Sequence, residues 1–357
     1  MENKKVVLHF LSVGSTGGIE KMAYNYAKYS TNRNIFVFLF ARGVYFDMIS
    51  KDNTTYFVPC KKLGFVRTVT ALKNIIKKND VDIIVSHHAN GYLRFLASIV
   101  KKFTNDKTYL VYAHSDAKNQ LDSPISFKAR LLNILNKRAV KKADSVIAIS
   151  NFVNDSMVRV FKLNPRKIVT IYNGVLTNDF DKIDYFPMSK NIVDVYYVGR
   201  LIKGKGVDKI IKAIDEMDTR YRLTIIGDGP EMEKLKELVR DKSRIKFLGT
   251  RNDIGKLVYS KDIFIHVPRW NEGFGNSLVE AMAAGKICVV ANKGALPEII
   301  DNNIDGYIID GSKKSLVKKL NEIQQNRELC VNARKKSRRF SMDVYVKKLD
   351  GYLRSIG

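Results

Sequence analysis

Short, nearly continuous apolar runs recur along the chain, separated by stretches with helical spacing. In the first half they are Val6–Ser12 (VVLHFLS), Ile35–Phe40 (IFVFLF), Val81–His87 (VDIIVSH), Thr108–His114 (TYLVYAH), Asp144–Ser150 (DSVIAIS) and Lys167–Tyr172 (KIVTIY). In the second half they are Val193–Gly199 (VDVYYVG), Arg222–Gly227 (RLTIIG), Ile245–Gly249 (IKFLG), Asp262–Pro268 (DIFIHVP), Ile287–Ala291 (ICVVA) and Gly306–Asp310 (GYIID). β-Branched and aromatic residues dominate these runs, as strands require. Amphipathic segments such as Ile19–Ser30 and Val66–Lys78 follow several of them. Strands apolar on both faces and separated by helices imply parallel sheets covered on both sides. The expected fold is therefore α/β, with two doubly wound domains. Thr177–Asn191 has little periodicity and contains Pro187, so it reads as a linker. The expected parts are residues 1–176, a linker over 177–191, residues 192–340, and a C-terminal helix over 341–357 that packs back on the first domain. Ligands of such sheets bind beyond the carboxyl ends of the strands. An interdomain cleft is the expected site.

Composition narrows the class. The chain has 357 residues, of which 45% are hydrophobic, enough for two proper cores. Its three cysteines, Cys60, Cys288 and Cys330, form no CxxC pair. That argues against a disulfide framework or a thiolate zinc site and fits a reducing cytoplasm. No apolar run approaches the roughly 20 residues that span a bilayer. The basic-then-apolar start imitates a signal peptide, but its apolar run is short, contains His9 and leads into a glycine turn. It reads as a first buried strand. The net charge of +26 attracts polyanions: nucleic acid, an anionic membrane surface or phosphorylated substrates. No zinc-finger spacing, RNP-like aromatic motif or basic-region heptad supports nucleic acid.

Four segments carry candidate chemistry, each just after a strand. In Ser12–Lys21 (SVGSTGGIEK), Gly17 and Gly18 permit close backbone approach, and the helix start offers N–H groups to an anion. It is not GxGxxG, so a dinucleotide fingerprint is absent. In Val198–Ala213 (VGRLIKGKGVDKIIKA), Arg200 and Lys205 suit a pyrophosphate, one by bidentate bonds and one as a point charge. A solvated basic loop is the plainer reading. In Ile225–Leu235 (IIGDGPEMEKL) a helix is expected with Pro230 at its first position. Asn271–Gly285 (NEGFGNSLVEAMAAG) places Glu272 and Glu280 around a GFG turn. Ser277 and Glu280 fit a capping box; alternatively, the helix start at Asn276 and Ser277 binds an anion and the glutamates bind hydroxyls.

Taken in order, GGIE, GRL-x3-KG, IIGDGPE and E-x7-E resemble glycosyltransferase family 4 across essentially the whole chain. The resemblance implies a GT-B fold of two facing Rossmann-like domains and transfer with retained anomeric configuration. It implies a nucleotide-diphosphate sugar as donor, with uridine diphosphate favoured. The acceptor would be a hydroxyl of a glycan or lipid-linked saccharide, in surface polysaccharide biosynthesis. It assigns Arg200 and Lys205 to the diphosphate, and Glu272 with the backbone of Phe274 and Gly275 to the donor sugar. Glu280 is assigned to ribose, and His114 to the sugar from the first domain. A strand-end histidine bonded to backbone is the plainer reading of His114. No metal or other cofactor is expected: Asp80-Val-Asp82 precedes a strand and reads as its cap, and the adjacent His87 and His88 point apart. The family pattern has Pro-Ser where this chain has Pro268-Arg269, so Arg269 either meets an acidic group on a substrate or points to water. A nucleotide-sugar epimerase of the same architecture, or a basic nucleic-acid-binding protein, are the alternatives. Finally, Ser126–Lys142 combines Phe127, Leu131, Ile134 and Leu135 at helical spacing with Lys128, Arg130, Lys137, Arg138, Lys141 and Lys142. It reads either as a helix packed on its sheet or as a contact with an anionic membrane. The expected location is cytoplasmic, peripheral on the inner face of the membrane.

Overall fold

The computed structural model describes residues 4–14, 17–87, 91–104, 106–121, 126–177, 180 and 191–356. Most of the expected linker and His88 lie outside these. The chain divides into two compact units: Met1–Gly174 with Met342–Gly357, and Val175–Ser341.

The first unit is built on seven strands: β1 (Val6–Val13), β2 (Arg33–Ala41), β3 (Thr54–Phe57), β4 (Ile83–Ser86), β5 (Thr108–Ala113), β6 (Ser145–Ala148) and β7 (Ile168–Thr170). The second has β8 (Val193–Val198), β9 (Tyr221–Ile226), β10 (Ile245–Phe247), β11 (Ile263–His266), β12 (Ile287–Ala291) and β13 (Tyr307–Ile309). The sheet orders are β3-β2-β1-β4-β5-β6-β7 and β10-β9-β8-β11-β12-β13. All their pairings are parallel. Both sheets therefore reverse winding direction at one place: between β1 and β4, and between β8 and β11. Loops leave those paired strands in opposite directions, which opens a crevice at their carboxyl ends.

The strand cores are as apolar as the pattern requires. Val7, Leu8, Phe10 and Leu11 of β1 are fully buried, as are Val195 and Tyr197 of β8. β3 is an addition to the expected set. Its sequence is TTYF, short and partly polar, and it sits at a sheet edge with no fully buried residue. The helix Cys60–Lys78 bends at Gly64, whose φ is 72°. Asp82 receives the Val6 N–H at 2.8 Å, tying down the start of β1.

The terminal helix Met342–Ser355 belongs to the first unit. Asp350, 2% exposed, anchors it. Its carboxylate accepts from Tyr26 Oη at 2.6 Å, Ser30 Oγ at 2.8 Å and the Thr31 N–H at 2.8 Å. A buried carboxylate persists because such bonds replace its lost hydration.

Pro230 does not open a helix. The helix starts at Met232 and Pro230 lies in the turn before it. There the backbone pairs with the loop after β8 instead: Glu231 N–H donates to Leu201 O at 3.0 Å, and Leu201 N–H to Asp228 O at 2.9 Å.

Candidate active site

In the second unit the residues at the switch point come together. β8 ends at Val198, and the chain runs through Arg200 into a single turn, Lys203–Lys205, followed by the helix Val207–Glu216. Gly206 joins turn to helix with φ 70°, and a Cβ there would lie 2.4 Å from Val267 O. Only glycine fits both the left-handed backbone and the contact. This close approach sets Lys205 against the loop that leaves β11. Its ammonium donates to Glu272 Oε1 at 2.7 Å, with side-chain exposures of 20% and 12%.

The same oxygen accepts from Trp270 Nε1 at 2.9 Å. His266 Nε2 lies 3.3 Å from it. Oε2 has no hydrogen bond from the described residues. Burial alone would raise the Glu272 pKa; the adjacent His266 ring and the Lys205 ammonium outweigh it and hold the carboxyl far below the usual range. Burial pushes His266 below its ordinary value. His266 is therefore neutral near pH 7, and Lys205 is the charge that balances Glu272. The backbone of Glu272 is pinned as well. Ala295 N–H donates to its carbonyl at 2.9 Å, and a Cβ on Gly294 (φ 60°) would lie 2.1 Å from that oxygen.

Arg200 is exposed, and among the described residues its side chain has no hydrogen-bond or ion-pair partner. Arg269 is not a free cation. It forks onto Asp208 with two bonds of 2.6 Å and donates to Lys203 O at 3.2 Å. Its own N–H donates to Gly204 O at 2.8 Å.

The expected capping box does not form. The helix Asn276–Ala283 has Gly275 at its N-cap, with no side chain bonded there. Ser277 is already the second helical residue, so its hydroxyl is past the capping position. Glu280 then sits one turn in, on the helix that follows Glu272. Phe274 is 3% exposed and stacks edge-on against Phe340 at 5.5 Å, so its side chain is core and only its backbone is presented.

In the first unit, Gly17 is the N-cap of the helix Gly18–Tyr29, again without a side-chain cap, and a Cβ on Gly18 would meet nothing within 4 Å. His114 follows β5. It is not merely bonded to backbone: its Nε2 lies 3.2 Å from His87 Nδ1. Among the described residues no group of three or more His, Cys, Asp and Glu side chains is arranged to hold a metal ion. No described helix is long and apolar enough to cross a membrane.

Sequence reading missed His266, Trp270 and His87 as partners of the named residues. His266 had a signal: it is the polar end of an apolar strand, six residues before Glu272, the first carboxylate of the loop that follows. Trp270 is the chain's one tryptophan, two residues before Glu272.

Two doubly wound parallel sheets, each with order 3-2-1-4-5-6 at its core and loop residues gathered at the switch point, define a GT-B type of architecture. A model of the group 1 glycosyl transferases matches residues 184–340, and one of glycosyltransferase family 4 matches residues 16–179. The chain belongs to glycosyltransferase family 4. It is 27% identical over 346 residues to a glycosyltransferase of Methanocaldococcus jannaschii, covering 88% of this chain and 87% of the relative. It is 24% identical over 280 residues to the N-acetyl-alpha-D-glucosaminyl L-malate synthase of Bacillus anthracis, covering 75% and 71%. An Anabaena protein solved in complex with UDP superposes with a TM-score of 0.83 at 21% identity, over 98% of this chain and 100% of the other.

Proposed function

We propose that the protein moves a glycosyl group from a nucleotide-diphosphate sugar, with uridine as the base, to a hydroxyl of a glycan or lipid-linked saccharide. The observation that carries this is the loop pair at the β8–β11 switch point. There Lys205 is held by one oxygen of Glu272 while Oε2 takes no bond from the described residues, and the loop after β8 also carries Arg200, exposed and without a side-chain partner among the described residues. Two cations and two helix starts, at Val207 and Asn276, suit a diphosphate. The open carboxylate oxygen suits a sugar hydroxyl. The Anabaena fold relative was solved with UDP and with UDP-glucose, which supports the donor class.

In this reading the C1–O bond to the diphosphate breaks and the oxygen keeps the electron pair. Arg200 and Lys205 stabilise the charge that develops there. The acceptor oxygen attacks C1 from the leaving-group face, its proton passes to the departing phosphate oxygen, and configuration is retained. The two cations supply the charge for which other transferases use a divalent ion, so the reading requires no metal. Glu272, with the backbone of Phe274 and Gly275, binds the sugar; Glu280 binds ribose; Asn276 and Ser277 supply helix-start N–H groups. Gly17, Gly18 and His114 of the first unit are assigned to the reactants by the family resemblance.

The acceptor is read as lying at an anionic membrane surface, in surface polysaccharide synthesis on the cytoplasmic side. On the helix Phe127–Lys142, Phe127 is 84% exposed, Leu131 46% and Ile134 48%, while Asn136, Ala139 and Val140 face inward. An apolar stripe on the outer face, flanked by Lys128, Arg130, Lys137 and Arg138, suits lipid better than packing.

A thermal-shift screen of nucleoside diphosphates and their sugars tests the function. At 100 times its dissociation constant a ligand stabilises by about 2.7 kcal/mol. UDP and a UDP-sugar should raise the melting temperature, and the sugar should appear in a new glycosidic linkage with UDP released. Absence of any shift, or a product lacking a new linkage, would refute transfer; the second result would favour an epimerase.

A further inference from the structure

His9, His87 and His114 form a staircase on one face of the first sheet. β1, β4 and β5 are neighbours in it. His9 pairs in register with Val85, and Val85 with Leu110. His87 lies two residues beyond Val85, and His114 four beyond Leu110. A period of two keeps all three on the same face. Each step moves one pleat toward the carboxyl ends of the strands. The rings meet: His9 Nδ1 is 2.8 Å from His87 Nε2, and His87 Nδ1 is 3.2 Å from His114 Nε2. Tyr112 stacks on both His87 and His114, at 5.2 Å and 4.4 Å. His9 and His87 are buried, at 1% and 5% exposure; His114 is partly exposed.

The inner end of the chain fixes its direction. Asn34 Nδ2 donates to Asn32 O at 3.2 Å, so its Oδ1 is the atom turned to His9 Nε2, 3.0 Å away. An amide oxygen only accepts, so His9 carries its proton on Nε2. Burial lowers the His9 pKa to about 4, so the ring is neutral and Nδ1 accepts. His87 must then donate from Nε2. If neutral, it accepts at Nδ1, and His114 must donate from Nε2. The chain ends on an amide that takes no proton, so it is an orienting device and not a conduit.

We propose that His9 and His87 are positioning residues that hold His114 in the Nε2–H tautomer, and that turnover depends on this orientation. The tautomer follows from the chain of bonds alone. Its effect on turnover rests on the functional reading above. A buried histidine inside β1 and another just past the end of β4 are otherwise a poor use of apolar sheet surface. The orientation of a histidine is set by the bond its other nitrogen makes.

The test is a long-range proton–nitrogen correlation spectrum of protein labelled with 15N-histidine, recorded near pH 8 without ligand. His114 should show a protonated Nε2 and an unprotonated Nδ1. The opposite tautomer in the wild-type spectrum would overturn the proposal whether or not any variant folds. In His87→Phe, which keeps the ring but removes both bonds, the single tautomer should be lost. Turnover of UDP-glucose, used as the probe donor, should fall roughly tenfold, the scale of one hydrogen bond. In His87→Asn, which retains an acceptor for His114 Nε2–H, the tautomer should return. An unchanged tautomer and rate in folded His87→Phe would also overturn it. If the wild type neither binds nor turns over any nucleotide sugar while the tautomer is as stated, the functional reading fails and the positioning chain stands.

Discussion

The Lys205–Glu272 pair links two loops of the fold, and a double-mutant cycle can separate that role from the one proposed for it in transfer. Glu272 is 12% exposed and takes bonds from Lys205 and Trp270 on one oxygen. Removing one partner of a buried pair costs about 3–5 kcal/mol, because the other charge is stranded. Here Trp270 still donates and part of the carboxylate meets water, so Lys205→Met should cost about 2–3 kcal/mol at the lower end of that scale. Glu272→Gln keeps an acceptor for Trp270 and strands only a lysine that is 20% exposed, so about 1 kcal/mol is expected. The double variant leaves no stranded charge and should recover most of the loss, giving a coupling of about 2–3 kcal/mol. The measurement is chemical denaturation of all four proteins, with donor turnover beside it. Turnover should not recover: Lys205→Met lacks a cation for the leaving diphosphate, worth about 2.7–4 kcal/mol in the transition state. Additive stabilities would refute the structural role of the pair. A double variant that regains turnover would remove Lys205 from the chemistry.

Further outcomes are expected. Arg200→Ala should leave the melting temperature unchanged, since no described side chain depends on it, and should slow transfer about 100-fold or more; transfer by the wild type should persist in excess chelator. Glu280→Gln should weaken the donor by roughly tenfold without destabilising the fold, because no capping bond is lost; a drop in melting temperature with intact donor binding would return Glu280 to a structural role. Acid should destabilise the first unit early: burial, against smaller raising effects of the Asn34 amide and Asp350, takes His9 from 6.5 to about 4, with Tyr26 and His87 also against its ring. The unfolded chain then binds the proton first, and stability falls as pH drops from about 6.5 to about 4, by up to roughly 3 kcal/mol; a flat denaturation midpoint across that window would contradict it. Sedimentation with vesicles should require anionic lipid and weaken with salt, and should fall when Lys137 and Arg138 are changed to Gln; equal affinity for neutral vesicles would count against the membrane surface.

The strands were legible because burial on both faces leaves a run of apolar residues that nothing else explains. Val6–Val13 and Ile287–Ala291 are examples. Thr54–Phe57 was not legible: an edge strand with solvent along one side has no need of such a run. Glu272, Lys205 and Arg200 stood out through their places after strands and their likeness to a family pattern. What they touch did not. The His9–His87–His114 chain depends on the register of three strands from 105 residues of sequence, which no local pattern encodes. The capping box failed for a local reason. Ser277-x-x-Glu280 has the right spacing, but the GFG turn brings Gly275 into the capping position, and the helix begins before the serine. The stripe Phe127–Leu131–Ile134 had the spacing of a packed helix face, and spacing alone does not say which side is wet.

Arg269 shows how a departure from the family pattern can be structural. Its charge was a candidate for a substrate carboxylate or phosphate. In the fold it is committed to Asp208 by two short bonds, and that pairing raises its own pKa. Asp208 is in the first turn of the helix Val207–Glu216, where a carboxylate favours the helix but would repel a diphosphate held at the same terminus. Pairing with Arg269 removes that repulsion. Arg269 also holds the Lys203 carbonyl through its guanidinium and the Gly204 carbonyl through its N–H. The turn that ends in Lys205 is thus bonded to the loop that carries Glu272 by groups outside the Lys205–Glu272 pair. With the turn fixed from that side, the proposed exchange of Glu272 for a phosphate oxygen at Lys205 would not cost the loop its place.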